Sequence, residues 1–242
     1  MRELLRCGSW MVYSTRGRSA ASMCARYVIV RLKRGRIEPR SGRSWADLLI
    51  AQLASHAPTS VRQLFTSPVT LVPVPVCRAG VAASIAAWPA LALCHELCRR
   101  GLGDEVQTVL QRVEAVANSA WVPRQRPGVD EHFRSLGLTS PVTEPRRFLL
   151  VDDVVTRGAT LLAAARRLKV AYPAVPVDAF ALARVQGAGD IEQAIQPCLE
   201  HIKLTRTGCI RLPSARPERS LRIPSVDRGR PQILPGRTSG SR

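Results

Sequence analysis

An α/β fold built around a parallel sheet is predicted by three features of the sequence. Short β-rich segments alternate with segments of helical spacing from about residue 45 to residue 205, an order typical of parallel sheets. The segment RFLLV, residues 147–151, is continuously apolar after Arg147, as a strand buried on both faces should be. Two acids, Asp152 and Asp153, follow this strand and lead into a Thr/Gly-rich turn and an apolar helix.

The positive charge of the chain is concentrated at its two ends. The chain has 242 residues, a length sufficient for one domain with a well-filled core. Its net charge is +18. Residues 1–47 contain 11 basic and 3 acidic side chains, residues 203–242 contain 10 and 2, and the middle is nearly neutral. We therefore predict a basic N-terminal extension (1–25), a domain (26–205) and a disordered Arg/Pro-rich tail (206–242). Basic ends could hold nucleic acid non-specifically, although solvated tails are the commoner explanation.

The cysteines and the apolar runs indicate a soluble, cytoplasmic protein without membrane contact. Seven cysteines form no CxxC pair, and the odd count without a signal peptide points to a reducing cytosol. Cys94 and Cys98 flank His95, but a metal site would need two more ligands, so we interpret them as buried thiols. The longest apolar run, residues 79–94, contains Pro89 and is too short to cross a bilayer.

Several elements can be placed in the first half of the chain. Residues 25–35, ARYVIVRLKRG, are compatible with a strand and with a helix, and the sequence does not decide between them. Ser44 is placed to cap a helix from about Trp45 to His56. The β-rich segment 68–76 contains prolines that favour a strand end. Pro89 fits the first turn of a helix that ends at Gly101.

The second half continues the alternation. Residues 105–113 are predicted to form a strand. Residues 114–145 lack periodicity, and loops of that length are usually functional lids or disordered. After the strand, turn and helix that contain the acid pair, we predict a buried strand over 175–185, a short helix over 190–198 and a last strand over 199–205.

The acid pair and the turn predict a binding site for a sugar phosphate. In parallel sheets, ligands bind beyond the carboxyl ends of the strands, which places Asp152 and Asp153 at the mouth of a cleft. Carboxylates accept hydrogen bonds from vicinal hydroxyls and can help to hold hydrated Mg²⁺. The turn presents backbone N–H groups at a helix N-terminus, and the hydroxyls of Thr156 and Thr160 add further donors for a phosphate.

The segment LLVDDVVTRGAT resembles the phosphoribosyl-pyrophosphate (PRPP) motif of type I phosphoribosyltransferases. LVPVPV upstream of it and LQRVEAVANSAWVPRQRPGVDEHFRSL between them are similar to segments of ComF-type and amidophosphoribosyltransferase-like members. The resemblance implies the type I phosphoribosyltransferase fold, with Asp152 and Asp153 holding the ribose hydroxyls and, directly or through water, Mg²⁺. The residues implied to hold the 5′-phosphate are Thr156, Arg157, Gly158, Ala159 and Thr160. Those implied for the pyrophosphate and flexible loops are Arg78, Arg124, Arg126 and Arg134.

Two functions follow from the resemblance. The first is transfer of the phosphoribosyl group from PRPP to an unknown nitrogenous acceptor with release of pyrophosphate, by an enzyme of nucleotide metabolism that could form a homodimer. The second is a non-catalytic protein that binds PRPP or a nucleotide, or serves DNA uptake (competence) as ComF-type proteins do. The intact motif favours the first. The upstream loop, in which Arg78 is the sole arginine, favours the second. The four-cysteine zinc module frequent in ComF-type proteins is absent, so no zinc is implied.

Overall fold

The computed structural model describes residues 4–76, 88–116, 127–140 and 143–214. The strands of its main sheet are β1 (Leu4–Ser14), β2 (Thr70–Pro73), β3 (Glu105–Val106), β6 (Phe148–Val155), β7 (Val177–Gly187), β8 (Ile195–Thr205) and β9 (Gly208–Pro213). They form a seven-stranded sheet in the order β3–β2–β6–β7–β1–β8–β9. A separate antiparallel ribbon pairs β4 (Leu110–Arg112) with β5 (Leu136–Leu138).

Most of the main sheet is parallel. The neighbouring strands β3, β2, β6, β7 and β1 all run in the same direction. Strands β8 and β9 complete the sheet in antiparallel pairing. Parallel neighbours need long crossover connections, which explains why helices alternate with strands along the chain. The prediction of an α/β fold with a parallel sheet is confirmed at this level.

Helices cover both faces of the sheet around β6. The helices are α1 (Ala20–Lys33), α2 (Trp45–His56), α3 (Thr59–Arg62), α4 (Pro89–Arg99), α5 (Val129–Arg134) and α6 (Ala159–Ala171), with a 3₁₀ turn at Gln63–Phe65. Leu149 and Val151 of β6 belong to the core formed with α1, α2 and α4. Phe148 and Leu150 belong to the core formed with α6. The continuously apolar run of β6 is therefore explained by burial on both faces. None of the described helices is long and apolar enough to span a membrane.

The first strand overturns the prediction of an N-terminal extension over residues 1–25. Strand β1 lies between β7 and β8 and pairs with both. Arg6, a charged residue of β1, forms an ion pair within the domain: its guanidinium lies 2.5 Å from the carboxylate of Asp178 on β7. Glycine at position 8 also allows close packing, since a Cβ there would overlap Cδ1 of Leu64 unless that side chain shifted. The prediction was wrong because the charged and small residues of β1 resemble the composition of a polar extension, although β1 is a central strand.

The structure decides three predictions for the first half of the chain. Helix α2 runs from Trp45 to His56 as predicted, and the hydroxyl of Ser44 accepts a hydrogen bond from Asp47 N at 3.0 Å. Helix α4 begins at Pro89, also as predicted, and Gly101 follows its end with φ of 69°. Residues 25–33, for which a strand and a helix were both compatible, lie within helix α1.

Several predictions for the second half need correction. Residues 105–113 form two short strands, β3 and β4, which belong to different sheets. The segment 114–145 is not wholly a loop, because it includes α5 and β5. Residues 190–194 are not helical. Asp190 instead accepts hydrogen bonds from the backbone N–H groups of Arg18 and Ser19, which ties this segment to the start of α1.

The boundary predicted at residue 206 for the C-terminal tail is also too early. Strand β9 pairs with β8 from Thr205–Gly208 to Glu200–Pro213. The side chain of Cys209 is buried in the core beneath α6. The domain therefore extends at least to Pro213, and the predicted tail beyond residue 214 lies outside the described residues.

The central position of β1 predicts a large loss of stability for Trp10→Ala. Trp10 is 1% exposed, and truncation of a buried tryptophan costs about 3–5 kcal/mol. Leu4→Ala on the same strand serves as the control, because Leu4 is 56% exposed and its truncation should cost less than about 0.5 kcal/mol. The measurement is the free energy of unfolding in urea. Equal, small losses in the two variants would show that β1 is not part of the core.

Candidate functional site

The turn between β6 and α6 is shaped for close approach of a ligand to the backbone. Gly158 occupies the N-cap of α6 in a left-handed conformation, with φ of 91°, which glycine adopts without strain. It has no side chain that could accept a hydrogen bond from the first turn, and no side chain of the described residues caps the helix. The N–H groups at a helix N-terminus carry partial positive charge. This turn can therefore offer them to an anion.

A cavity of about 170 Å³ lies against the turn. Its walls come from the end of β6 and the start of α6, from α5 and the residues before it, and from the tip of the β8–β9 hairpin at Thr207–Cys209. An engineered cavity of about 150 Å³ is known to hold benzene. The space is therefore large enough for a phosphate group or a pentose-sized group.

All five residues predicted to hold a 5′-phosphate line this cavity. They are Thr156, Arg157, Gly158, Ala159 and Thr160. Arg157 is exposed, whereas Thr160 is partly buried. The hydroxyl Oγ1 of Thr160 lies 3.3 Å from Nε2 of His132. The structure thus brings backbone and hydroxyl donors of the turn around one space.

Asp152 is the member of the acid pair that lines the cavity. Its Oδ1 accepts a hydrogen bond from Asp153 N at 2.9 Å. Burial and, next, the charge of Asp153 raise the pKa of Asp152 to about 7, although the charge of Lys33 opposes the shift. In the ligand-free protein, the carboxyl group of Asp152 therefore takes up a proton near neutral pH. A hydroxyl donor or a cation in the cavity would favour its ionised form.

Asp153 lies on the other side of β6, because consecutive side chains of a strand alternate between the two faces. Its Oδ2 is 2.6 Å from Nζ of Lys33, at the end of α1. The Asp153 side chain is 13% exposed and that of Lys33 is 50% exposed. Burial lowers the pKa of Lys33, but the charge and the hydrogen bond of Asp153 outweigh it, so that this pKa is raised above its ordinary value. The structure therefore does not place both acids in the cavity.

Two residues of this region, Lys33 and His132, were not predicted to belong to the site. A lysine in the last turn of a helix usually interacts with the helix dipole, so nothing in the sequence marked Lys33 as the partner of an acid far along the chain. His132 lies in a segment without periodicity, and the resemblance implied no role for it. Three-dimensional proximity to the turn is the sole signal for either residue.

Of the four predicted loop cations, only Arg134 belongs to the described residues. Arg78, Arg124 and Arg126 lie outside the described residues. Arg134 is exposed on α5 and does not line the cavity. A different arginine, Arg112 of β4, is buried. It donates to Ser135 Oγ at 2.5 Å and to the carbonyl oxygen of Val76 at 3.5 Å, and so connects the β4–β5 ribbon to the segment after β2.

The side chains at the cavity are better suited to a metal ion that binds together with a ligand than to a metal ion held by protein side chains alone. Within the described ranges, no group of three or more His, Cys, Asp or Glu side chains could hold a metal ion. Mg²⁺ usually keeps several waters and is bound through one or two carboxylates together with substrate phosphates. Asp152 can supply such a carboxylate. The residues present therefore fit Mg²⁺ bound jointly with a phosphorylated ligand.

Comparison with known proteins does not assign the chain to a family. No protein-family model matches it, and no curated protein is significantly similar to it. The motif and the geometry of the cavity are therefore the basis for the function proposed below.

The conformation of Gly158 predicts that alanine at this position will destabilise the protein. A Cβ there would lie 2.6 Å from Cδ1 of Ile202 on β8, and a left-handed non-glycine residue costs about 1–3 kcal/mol. Gly101→Ala is the control, since Gly101 has φ of 69° and no atom within 4 Å of such a Cβ. Urea unfolding should show a larger loss for Gly158→Ala than for Gly101→Ala. Equal losses would contradict the close contact with Ile202.

The raised pKa of Asp152 predicts a stability that depends on pH in metal-free buffer. Asp152 is protonated in the folded state below about pH 7, whereas it ionises near pH 4 when unfolded. Its stabilising contribution is thus complete below pH 4 and is lost as the pH rises to 7. Asp152→Asn, which cannot ionise, should therefore become more stable relative to wild type by about 1–3 kcal/mol between pH 5 and pH 8.

The matched control for this pH series is Asp130→Asn. The Asp130 side chain is 89% exposed, so the same substitution there controls for the chemical change at the protein surface. Urea unfolding of the three proteins at pH 5, 6, 7 and 8 provides the measurement. A difference between Asp152→Asn and wild type that stayed constant over this range would refute the raised pKa.

Proposed function

We propose that the protein binds PRPP in the cavity and transfers the phosphoribosyl group to a nitrogenous acceptor with release of pyrophosphate. The observation that carries this proposal is that a single cavity is lined by the carboxyl group of Asp152 and by the uncapped helix N-terminus at Gly158. A carboxylate binds hydroxyls and a helix N-terminus binds phosphate. The resemblance of LLVDDVVTRGAT to the PRPP motif supports the same ligand and a type I phosphoribosyltransferase fold.

The phosphate end of the ligand would be held mainly by hydrogen bonds. The dipole of α6 contributes only about 0.3–1 kcal/mol at an exposed end. Hydrogen bonds to charged groups contribute about 1.5–3 kcal/mol each. Thr156, Thr160 and the turn between them line the cavity together, so their hydroxyls and N–H groups can form several such bonds with one phosphate. Arg157 adds a positive charge at the exposed side of the turn.

The sugar end would be held by Asp152. Two ribose hydroxyls can donate hydrogen bonds to the two oxygens of one carboxylate. These bonds favour the ionised form of Asp152, whose pKa is raised by burial when no ligand is present. Mg²⁺ bound with PRPP would neutralise charge on the pyrophosphate and on this carboxylate. Ligand, cation and Asp152 therefore stabilise one another.

The position of the cavity in the sheet agrees with this assignment. It lies at the carboxyl end of β6, where parallel sheets bind their ligands. Val74, which follows β2, donates its backbone N–H to the carbonyl oxygen of Val151 at 2.9 Å. The segment after β2 therefore starts directly beside Asp152, and in type I phosphoribosyltransferases the corresponding segment precedes the pyrophosphate loop.

The proposed reaction is a displacement at the anomeric carbon. The acceptor nitrogen forms a bond to C1 of the ribose as the bond between C1 and the pyrophosphate oxygen breaks. The electron pair of the broken bond leaves with pyrophosphate, and the proton of the acceptor passes to solvent. Positive charge develops on the ribose ring, and the carboxylate of Asp152 can stabilise it because it is already oriented in a partly buried site.

A second candidate function, binding of PRPP or a nucleotide without turnover, is favoured by one observation. Lys33 neutralises Asp153 at 2.6 Å, so that one acid of the motif is engaged by protein before any ligand arrives. The cavity, Asp152 and the turn would then bind the ligand in the same way. The two functions differ in the release of pyrophosphate.

Binding of PRPP should be detected as thermal stabilisation that depends on Asp152 and Mg²⁺. A ligand at 100 times its dissociation constant adds about 2.7 kcal/mol to the stability of the folded state. Wild type should show such a shift with PRPP and Mg²⁺, and Asp152→Asn should lose most of it. Asp130→Asn, with the same chemical change at an exposed site, should retain the shift.

Pyrophosphate release distinguishes the two candidate functions. Wild type incubated with PRPP, Mg²⁺ and a panel of purines, pyrimidines, amides and amines should release pyrophosphate with at least one acceptor, and Asp152→Asn should not. Tight binding of PRPP without release above background would select the binding protein. If PRPP, ribose 5-phosphate and nucleotides all fail to shift the melting temperature, both candidates are wrong.

A further inference from the structure

His132 is a buried polar residue at the cavity to which no role has been assigned above. It is 2% exposed and lines the cavity. Its Nε2 lies 3.3 Å from Oγ1 of Thr160, one of the turn residues. Its Nδ1 is buried and, within the described part of the chain, has no hydrogen-bond partner.

The imidazole of His132 is neutral at physiological pH. Burial and, next, the positive charge of Arg112 lower the pKa of His132 to about 4. A neutral imidazole has one N–H donor and one acceptor nitrogen. Native proteins rarely bury a polar group without a partner, and such a group frequently serves a ligand or a water. With the proton on Nε2, Nδ1 is the buried acceptor, and the N–H that a ligand could accept from lies beside Thr160.

We propose that His132 is a phosphate-binding residue, whose Nε2–H donates a hydrogen bond to a phosphate oxygen in the cavity. Nε2 is the ring nitrogen that faces the turn, because it is the one close to Thr160. When the phosphate is bound, the hydroxyl of Thr160 donates to the same group, and its contact with the imidazole is replaced. The inference rests on the proposed function in that the phosphate is taken to be the 5′-phosphate of the sugar.

His132 would bind the phosphate through a neutral N–H donor and not through a positive charge. A protonated imidazole would also attract a phosphate, but burial next to Arg112 disfavours that form. The hydroxyls of Thr156 and Thr160 and the backbone N–H groups are neutral donors as well. The geometry therefore suits a phosphate monoester, which has several acceptor oxygens available for donors that converge from α5 and from the turn.

Three substitutions at His132 test the position of the donor. The side-chain amide nitrogen of glutamine can take the place of Nε2, whereas that of asparagine takes the place of Nδ1. Phenylalanine keeps a ring of similar shape and removes both nitrogens. We expect His132→Gln to bind ribose 5-phosphate nearly as wild type does. We expect His132→Asn and His132→Phe to bind it about 10- to 100-fold more weakly, which corresponds to the loss of a hydrogen bond to a charged group.

The measurement is isothermal titration of wild type and the three variants with ribose 5-phosphate, inorganic phosphate and PRPP with Mg²⁺. Urea unfolding of the ligand-free proteins serves as the control for structure. The midpoint for His132→Phe should be close to that of wild type, since the substitution removes buried nitrogens and keeps the ring. A loss of affinity in a variant of unchanged stability then reports on the ligand.

The outcomes separate this inference from the proposed function. If wild type binds ribose 5-phosphate and all three variants bind it equally well, His132 does not bind phosphate, and the proposed function still stands. If glutamine and asparagine weaken binding equally, the assignment of the donor to Nε2 is overturned. If inorganic phosphate binds in a manner that depends on His132 while ribose 5-phosphate and PRPP do not bind, this inference stands and the proposed function fails.

Discussion

Burial of β6 on both faces is the constraint on which the site depends. Phe148 and Leu150 pack under α6, while Leu149 and Val151 pack under α1, α2 and α4. Side chains of a strand alternate between faces, so the two acids that follow must also diverge. Asp152 therefore reaches the cavity next to α6, and Asp153 reaches Lys33 on the other face. Because β6 is buried on both faces, one of the two neighbouring acids is available to a ligand and the other is held in an ion pair.

Three features at the cavity lower the stability of the ligand-free protein. Asp152 is held where burial opposes its charge, Nδ1 of His132 is buried without a described partner, and α6 begins without a side-chain cap. Each feature costs free energy in the absence of a ligand. A sugar phosphate would remove the first and third of these costs together, because its hydroxyls complement the carboxylate and its phosphate complements the N–H groups.

The sequence predicted the local structure around the site better than its long-range contacts. The β6–turn–α6 unit, the cap at Ser44 and the start of α4 at Pro89 depend on neighbouring residues, and these predictions were confirmed. The role of β1 was missed because Arg6 is satisfied by Asp178, a residue 172 positions away. The ion pair of Lys33 with Asp153 and the contact of His132 with Thr160 were missed for the same reason. Composition and periodicity do not indicate which distant residues meet.

The order of strands in the sheet has a consequence for biosynthesis. Strand β1 leaves the ribosome before the other strands of the main sheet, and its neighbours β7 and β8 follow only after β2, β3 and β6 have been made. During that interval both backbone edges of β1 lack their native partners. Contacts of such long range slow folding, and unpaired strand edges favour association with other chains. The edges of β1 are therefore open to association until β7 and β8 have been made, and a chain that ends before β7 lacks both partners of this strand.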